Sequence, residues 1–248
     1  EKACHIARFT SEDPFVGLAD PELMAYDYQD LDLDLYHPWP IKVEEAIELA
    51  KNAEDEGFSY DKRIINSEGA SLDTFETFDL YANSHGFCGT TATTKHSFGC
   101  SFIAKHKNDM QRDYYYTVAH EACDLENADH VARQAAKRTI NRLNAQRITT
   151  RECPVIFAPE IAGGLIGNFV NAIHGSNIYR KSSFLLDHLH KPVLAKHINI
   201  EENPHIPKAL GSAAFDGEGV KLFRNDVVVD GILQHYVLDS YSARKLKM

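Results

Sequence analysis

A single carboxylate, Glu160, lies in an apolar, glycine-rich stretch where its chemistry depends on its neighbours. Residues 153–175, CPVIFAPEIAGGLIGNFVNAIHG, are typical of a buried strand that runs directly into an apolar helix. A carboxylate in the first turn of such a helix could be a general base beside a metal ion or a nucleophile. It could equally be a favourable negative charge at the positive end of the helix dipole.

Histidine motifs elsewhere in the chain fall short of a complete metal site. HEACD, residues 120–124, begins like a metalloprotease helix, but the fourth residue after His120 is Asp124 and not a second histidine. The motif is therefore predicted to form a strand end and a turn. His188 and His190 lie two residues apart without a third ligand that the sequence identifies, so a solvated loop is the expected setting.

Three further patterns are weak as catalytic motifs. The glycines within 163–167 lack the G-x-G-x-x-G spacing of a dinucleotide-binding loop. Ser183 has no base partner that the sequence identifies, and no G-x-S-x-G elbow is present. Asp216 and Glu218 could pair as an acid and a base, but their glycine-rich surroundings favour a structural turn.

Composition and charge narrow the class of protein. The 248 residues are 44% hydrophobic and 25% charged, which is ordinary for a soluble protein able to bury a full core. The formal net charge of −10 argues against nucleic acid or an anionic membrane surface as the main partner. No apolar run approaches the length that spans a bilayer, so we expect a cytoplasmic protein. Five scattered cysteines without a C-x-x-C pair favour reduced and mostly buried thiols.

The elements that must position these residues divide near residue 150. Residues 10–40 are acidic and rich in turns, and their apolar side chains predict an ordered arm that packs on a neighbour. A helical period covers 43–57 and ends at a glycine. A period of two from 62 to 119 predicts antiparallel strands, with turns at SEGAS, ANSHGF and HKNDMQ.

The second half of the pattern completes an α+β prediction. Residues 127–145 predict a helix with Asn127 as its N-cap. Near the C-terminus, VVVDGILQHYVLDSYSA predicts two strands joined by an Asp230–Gly231 turn. We therefore predict an N-terminal domain, 1–150, of helices with an antiparallel sheet, and a β-rich C-terminal domain, 151–248.

Six segments, in order along the chain, resemble the TldD/PmbA family of modulators of DNA gyrase, most closely its PmbA (TldE) branch. Family members extend further at both ends, so the resemblance leads us to expect an internal portion of a longer chain. The segments are HIARFTSEDPFVGLAD, DKRIINSEGAS, NSHGF, YRKSSFLLD, FDGEGV and DGILQHYVLDSYSARKL.

The resemblance also gives the stretch around Glu160 a meaning. In the TldD branch this junction reads His-Glu-x-x-x-His, and the two histidines with a downstream cysteine hold zinc. Here Glu160 keeps the glutamate position, while Pro159 and Gly164 stand at the two histidine positions. Neither residue offers a side-chain ligand, so no activated water is expected for Glu160 to deprotonate. The resemblance thus implies no catalytic residue, metal or cofactor in this chain, with zinc in a TldD-type partner. The alternative is a residual catalytic role for Glu160 in a site shared across the heterodimer.

The function that the resemblance implies is a subunit of a heterodimeric, cytoplasmic metallopeptidase. Such a complex acts on unfolded peptides, including the leader of the peptide antibiotic microcin B17 and an antitoxin. One alternative is an autonomous peptidase with ligands recruited from His174, His188, His190 or His197. Another is a regulatory adaptor around DNA gyrase or toxin–antitoxin pairs.

Two surfaces are candidates for binding a partner or a substrate. The late strands, 227–240, could accept an extended peptide as an added strand, because main-chain hydrogen bonds tolerate many sequences. Ordinary pairing within a closed sheet is the alternative for these strands. The acidic residues 20–36 of the arm are the second candidate, for contact with another subunit.

Overall fold

The computed structural model describes residues 2–248 and places three helices and a long three-stranded sheet before a smaller second portion. Within residues 2–248, none of the helices combines the length and the hydropathy needed to cross a bilayer. The α+β class is confirmed. The helices are α1 Lys2–Ala7, α2 Val43–Tyr60, α3 Ala128–Asn141, α4 Pro159–Ile173, α5 Gly175–Tyr179 and α6 Ser240–Leu246. The strands are β1 Ile64–Ala82, β2 Cys88–His106, β3 Asp109–Ala119, β4 Ile200–Glu202, β5 Asn225–Val229 and β6 Ile232–Leu233.

The first sheet is antiparallel in the order β1-β2-β3. The predicted turns after β1 and after β2 are confirmed. The predicted turn at SEGAS is wrong, because these residues lie inside β1, where the register against β2 shifts between Ser67 and Gly69. Gly69 has φ +106°, a conformation that glycine adopts without steric cost, so the strand absorbs a bulge and continues.

Helices α2 and α3 cover one face of this sheet. The Asn127 side chain accepts a hydrogen bond from the Asp129 N–H at 2.9 Å, which confirms the predicted N-cap of α3. α2 continues past Gly57 to Tyr60, because Gly57 leaves room for the ring of Phe102 rather than ending the helix. The buried core of this portion includes Ala53, Ile64, Phe98, Cys100, Phe102, Val131, Ala132 and Ala135.

The expectation of mostly buried thiols is wrong. Cys100 is buried under α2 and α3, and burial raises the pKa of its thiol to about 12. The other four cysteines are exposed because they lie in short helices, at a strand end or in irregular chain rather than in the core. They are Cys4, Cys88, Cys123 and Cys153.

The arm, residues 10–40, is ordered and packs on its own chain. It contains two short 3₁₀ turns, Pro21–Leu23 and Tyr28–Asp30, and otherwise runs without regular structure. Main-chain hydrogen bonds join it to residues 219–221 of the second portion. Its buried Met24 and Ala25 share a cluster with Phe87 from the β1–β2 turn. The arm therefore links the far end of the first sheet to the second portion.

The second portion holds a small antiparallel sheet in the order β4-β5-β6. The Asp230–Gly231 turn is confirmed, with both residues at positive φ. The late strands are not a free edge: β5 is the central strand, and Val228 and Leu233 have at most 1% of their surface exposed. Residues 240–246 form α6. Asp239 caps the N-terminus of this helix, because its side chain accepts a hydrogen bond from the Ser242 N–H.

The β-rich character expected of residues 151–248 is limited to these three short strands, and α4 alone has more residues than the three together. An apolar extended segment becomes a strand only when another strand completes its hydrogen bonds. Several such segments here have no partner strand within residues 2–248. The domain boundary near residue 150 stays a prediction; it falls in the irregular chain between α3 and α4.

Candidate functional site

The stretch around Glu160 contains the predicted helix but lacks the predicted buried strand. α4 begins at Pro159, whose fixed φ suits the first helical position. Residues 153–158 before it have no strand partner within residues 2–248, and Ile156 is 98% exposed. The apolar sequence was therefore misleading, because strand formation depends on a neighbouring strand that local pattern does not reveal.

Glu160 lies in the first turn of α4 and forms an ion pair with Arg138 on α3. The Arg138 guanidinium lies over the ring of Tyr115, 4.6 Å from its centroid, and this contact fixes its position. The Tyr115 hydroxyl donates to Glu126 at 2.9 Å. The Glu160 carboxylate is thus held as an ion-pair partner between two helices, and its charge also suits the helix N-terminus.

The side chains beside Glu160 do not fit a zinc ion. Pro159 has no donor atom, and Gly164, one turn further along α4, has no side chain. Zinc sites in proteins use thiolate, imidazole and carboxylate ligands, of which Glu160 alone supplies one here. A Cβ built on Gly164 meets no heavy atom within 4 Å, so close packing is not what requires a glycine at this position.

The first half of α4 is an apolar helix face that residues 2–248 leave uncovered. Ile161, Leu165 and Ile166 are exposed, although they are large and apolar. The second half of the helix is anchored in the core by Phe169 and Ile173. The carboxylate of Glu160 therefore lies at the end of a helix that projects from its anchored half.

The HEACD motif forms a strand end and a turn, as predicted. Glu121, Cys123 and Asp124 bring three potential metal-ligand atoms within 4.8 Å of one another. A protein cation already occupies this cluster: Lys208 Nζ donates to the Glu121 carboxylate and lies 3.7 Å from an oxygen of Asp124. The hydrogen bond from Lys208 lowers the pKa of Glu121, and the same bond raises the pKa of Lys208. The arrangement is a salt-bridge cluster rather than a metal centre.

The histidines after residue 170 that were candidates for zinc ligands do not form a common site. His174 Nδ1 is 2.9 Å from the Ser176 hydroxyl at the start of α5. His188 Nδ1 bonds to the Leu186 carbonyl, 2.6 Å away, in the predicted loop. Among residues 2–248, no group of three potential ligand atoms includes His174, His188, His190 or His197.

The remaining candidates are structural. Ser183 Oγ donates to the Ala172 carbonyl at 2.5 Å and fixes the chain after α5. Asp216 accepts from two backbone N–H groups of its own turn, at 2.9 Å each. Glu218 accepts from the backbone and hydroxyl of Ser240 at the first residue of α6. These contacts confirm the structural turn that the glycine-rich sequence favoured.

Sequence reasoning missed the partners that give the two acidic positions their roles. Arg138 is separated from Glu160 by 22 residues, and Lys208 from Glu121 by 87. No local spacing rule connects residues this far apart, because tertiary packing alone brings them together.

Comparison with known proteins identifies the family. Residues 36–143 match the PmbA/TldA metallopeptidase central domain, and residues 150–248 match the PmbA/TldA metallopeptidase C-terminal domain. The Metalloprotease PmbA of Escherichia coli O157:H7 is 46% identical over 246 residues, which are 99% of this chain and 54% of that protein. The chain therefore spans about half the length of this relative.

Solved structures agree with the fold. A Bacteroides thetaiotaomicron protein described as a modulator of DNA gyrase superposes with a TM-score of 0.93 at 26% identity, over 100% of this chain and 56% of that one. TldE from Thermococcus kodakarensis superposes with a TM-score of 0.77 at 17% identity, over 100% and 55%, which supports the fold alone. The two domain matches and the relative point to one family, and the chain belongs to the PmbA/TldA metallopeptidases.

Proposed function

We propose that this chain is part of the zinc-less, PmbA/TldE-type subunit of a heterodimeric, cytoplasmic metallopeptidase. In this proposal a TldD-type subunit carries the zinc ion and cleaves unfolded peptides. The observation that carries the proposal is the degenerate ligand set: Pro159 and Gly164 offer no zinc ligand, and the Glu160 carboxylate is paired with Arg138. A zinc-bound water that a glutamate could deprotonate therefore has no place here.

The substrates that we propose are flexible or unfolded polypeptides, including antibiotic leader peptides and antitoxins. Membership of a metallopeptidase family supports the reaction class, and the absence of zinc ligands beside Glu160 is the reason for proposing a TldD-type partner. The subunit would complete the complex by binding its partner and guiding the polypeptide. The net charge of −10 supports a protein substrate rather than nucleic acid.

The alternative function, in which this chain is an autonomous peptidase, lacks a set of metal ligands. His174, His188, His190 and His197 belong to no three-ligand group among residues 2–248. The Glu121 cluster cannot replace them while Lys208 is inserted between its carboxylates.

The test is cleavage of an unstructured peptide by the protein at its natural full length. The protein is assayed alone and mixed with a TldD-type subunit, each with and without a zinc chelator. We expect chelator-sensitive cleavage in the mixture and none by the protein alone. Glu160→Gln should leave the mixture fully active, whereas the matched substitution of the partner's motif glutamate should abolish activity. Chelator-sensitive cleavage by the protein alone, or a mixture inactivated by Glu160→Gln, would refute the proposal. Tight binding to DNA gyrase without the partner would favour the alternative function as a regulatory adaptor.

A further inference from the structure

A cavity of about 700 Å³ lies where the arm, the far end of the β1–β2 hairpin and the loop 212–217 meet. Its walls come from residues 28–29, 31–36, 79–81, 90–93 and 212–217. A cleft of this size holds a small molecule or a few residues of a peptide. It lies apart from Glu160 and borders the Lys208 cluster only through Asp34, so neither of those features accounts for it.

One wall of the cavity is an open strand edge. β3 pairs with residues 96–106 of β2, so residues 88–95 have β1 on one side and no strand on the other within residues 2–248. Thr94 N–H donates to the Leu35 carbonyl at 2.9 Å, and Thr90 N–H donates to the Tyr28 hydroxyl at 3.2 Å. N–H groups of alternate residues point to the same side of a strand, so the N–H of Ala92 points the same way. It has no acceptor among residues 2–248.

The other walls are acidic and aromatic. The lining residues include four aspartates and no lysine, arginine or histidine. Asp32, Asp79 and Asp216 form no ion pair within residues 2–248, while Asp34 is 3.7 Å from Lys208 outside the cavity. A cleft with charges of one sign concentrates the opposite charge. Four aromatic rings in the lining can also hold a cation over their faces. They are Tyr28, Tyr36, Tyr81 and Phe215.

These three features together select the occupant. The open edge at Ala92 requires a partner with a main-chain carbonyl, which an extended polypeptide has. The uncompensated carboxylates and the aromatic walls require a positive charge on that partner. β1, which forms the adjacent rim, adds three further acidic residues, one of them paired with Arg112, and no basic one. A neutral or acidic peptide would satisfy the strand edge but not the charge.

We propose that this cavity binds an extended polypeptide segment by its main chain at Ala92 and by a lysine or arginine side chain among the aspartates. The inference rests on the proposed function, since it treats polypeptides as the substrate class. It adds that basic, extended segments are the preferred substrates and that the arm forms part of their binding site.

The test is isothermal titration calorimetry with the full-length protein and a capped Gly-Ser-Val-Lys-Val-Ser-Gly peptide. We expect binding that weakens as salt is added, and a roughly tenfold weaker affinity when the lysine is acetylated. The Asp32→Asn/Asp79→Asn double variant should lose a similar factor. The matched Glu44→Gln/Asp55→Asn variant makes the same charge change at exposed sites on α2, outside the cavity and its rim, and should bind as the wild type does.

The strand edge is tested separately. Ala92→Pro removes the outward N–H, and an edge strand is where a sheet best tolerates proline. Ala92→Gly keeps this N–H. We expect weak binding for the first and near wild-type binding for the second, with circular dichroism as the check on folding. The aspartate variants decide the question if the proline variant does not fold.

Equal affinity for the acetylated peptide, equal losses in both double variants, or absence of binding would overturn the inference. Spermidine binding as tightly as the peptide, with no effect of Ala92→Pro, would show a site for small cations and overturn it as well. Cleavage is not read in this assay. A failed cleavage test and a failed binding test are therefore distinguishable.

Discussion

Two glycines in helices of this protein should respond oppositely to the same substitution. Gly57 in α2 is buried, and a Cβ built on it lies 1.9 Å from a ring carbon of Phe102. The Phe102 ring is fully buried and packs edge-on against Phe58 at 5.9 Å, so it cannot swing away. Gly163 in α4 is also helical, but a Cβ built there meets no heavy atom within 4 Å.

The two substitutions differ by the packing at Phe102. Alanine is favoured over glycine inside a helix by about 1 kcal/mol, and this gain is common to both sites. Overpacking a core costs about 1–3 kcal/mol, and an approach of 1.9 Å places Gly57→Ala toward the upper end. We expect Gly57→Ala to lower the free energy of unfolding by about 1–2 kcal/mol and Gly163→Ala to raise it by up to about 1 kcal/mol.

Urea unfolding followed by circular dichroism measures both free energies. Adding Phe102→Leu to Gly57→Ala should recover part of the loss, with a coupling energy of at least about 0.5 kcal/mol in the double-mutant cycle. A Gly57→Ala protein as stable as the wild type would refute the reasoning. It would mean that the sheet and α2 adjust around Phe102 at no measurable cost.

Three further predictions test the ion pairs, the thiols and the arm. Hydrogen bonds from Arg63 lower the pKa of Asp61 from 3.8 to about 2, so their stabilisation is complete above pH 3.8 and is lost as the pH falls through about 2. Asp61→Asn should therefore be less stable than the wild type at pH 6 in urea unfolding, and this difference should narrow from about pH 4 toward pH 2; a constant difference would contradict the assignment. Four of the five thiols should react with Ellman's reagent in the folded protein, and Cys100 should react only after unfolding, because it is buried with a raised pKa; a fifth fast thiol would contradict its burial. Phe87→Ala removes a buried ring packed against Tyr26, Tyr28 and Phe215, and should cost about 3–5 kcal/mol. It should also make the arm more sensitive to limited proteolysis. An arm that stays as resistant as in the wild type would show that its order does not depend on this cluster.

Sequence reasoning succeeded where a local rule governs the structure. The N-cap at Asn127, the turn at Asp230–Gly231 and the start of α4 at Pro159 each follow from the preferences of a few adjacent residues. The structural roles of Asp216 and Ser183 were also accessible, because their hydrogen bonds lie within a turn or reach a nearby helix end.

It failed where a strand needs a distant partner. Residues 153–158 have the composition of a buried strand but extend into solvent. The sequence left the late strands as either an open edge or ordinary paired strands, and the structure decides for pairing, because β5 is central and buried. The SEGAS segment reads as a turn, but β2 pairs with it on both sides of a bulge. Pairing is a property of two segments, and the pattern of one segment cannot specify it.

The chain by itself determined its family, its α+β class and the absence of side-chain metal ligands at Pro159 and Gly164, because these depend on residue identity and order. Tertiary structure alone decided that Arg138 pairs with Glu160, that Lys208 fills the Glu121 cluster, and that the arm leaves an acidic cavity beside β2. Each of these joins groups distant in sequence. Their proximity follows from the packing of the whole chain, which no local spacing rule encodes.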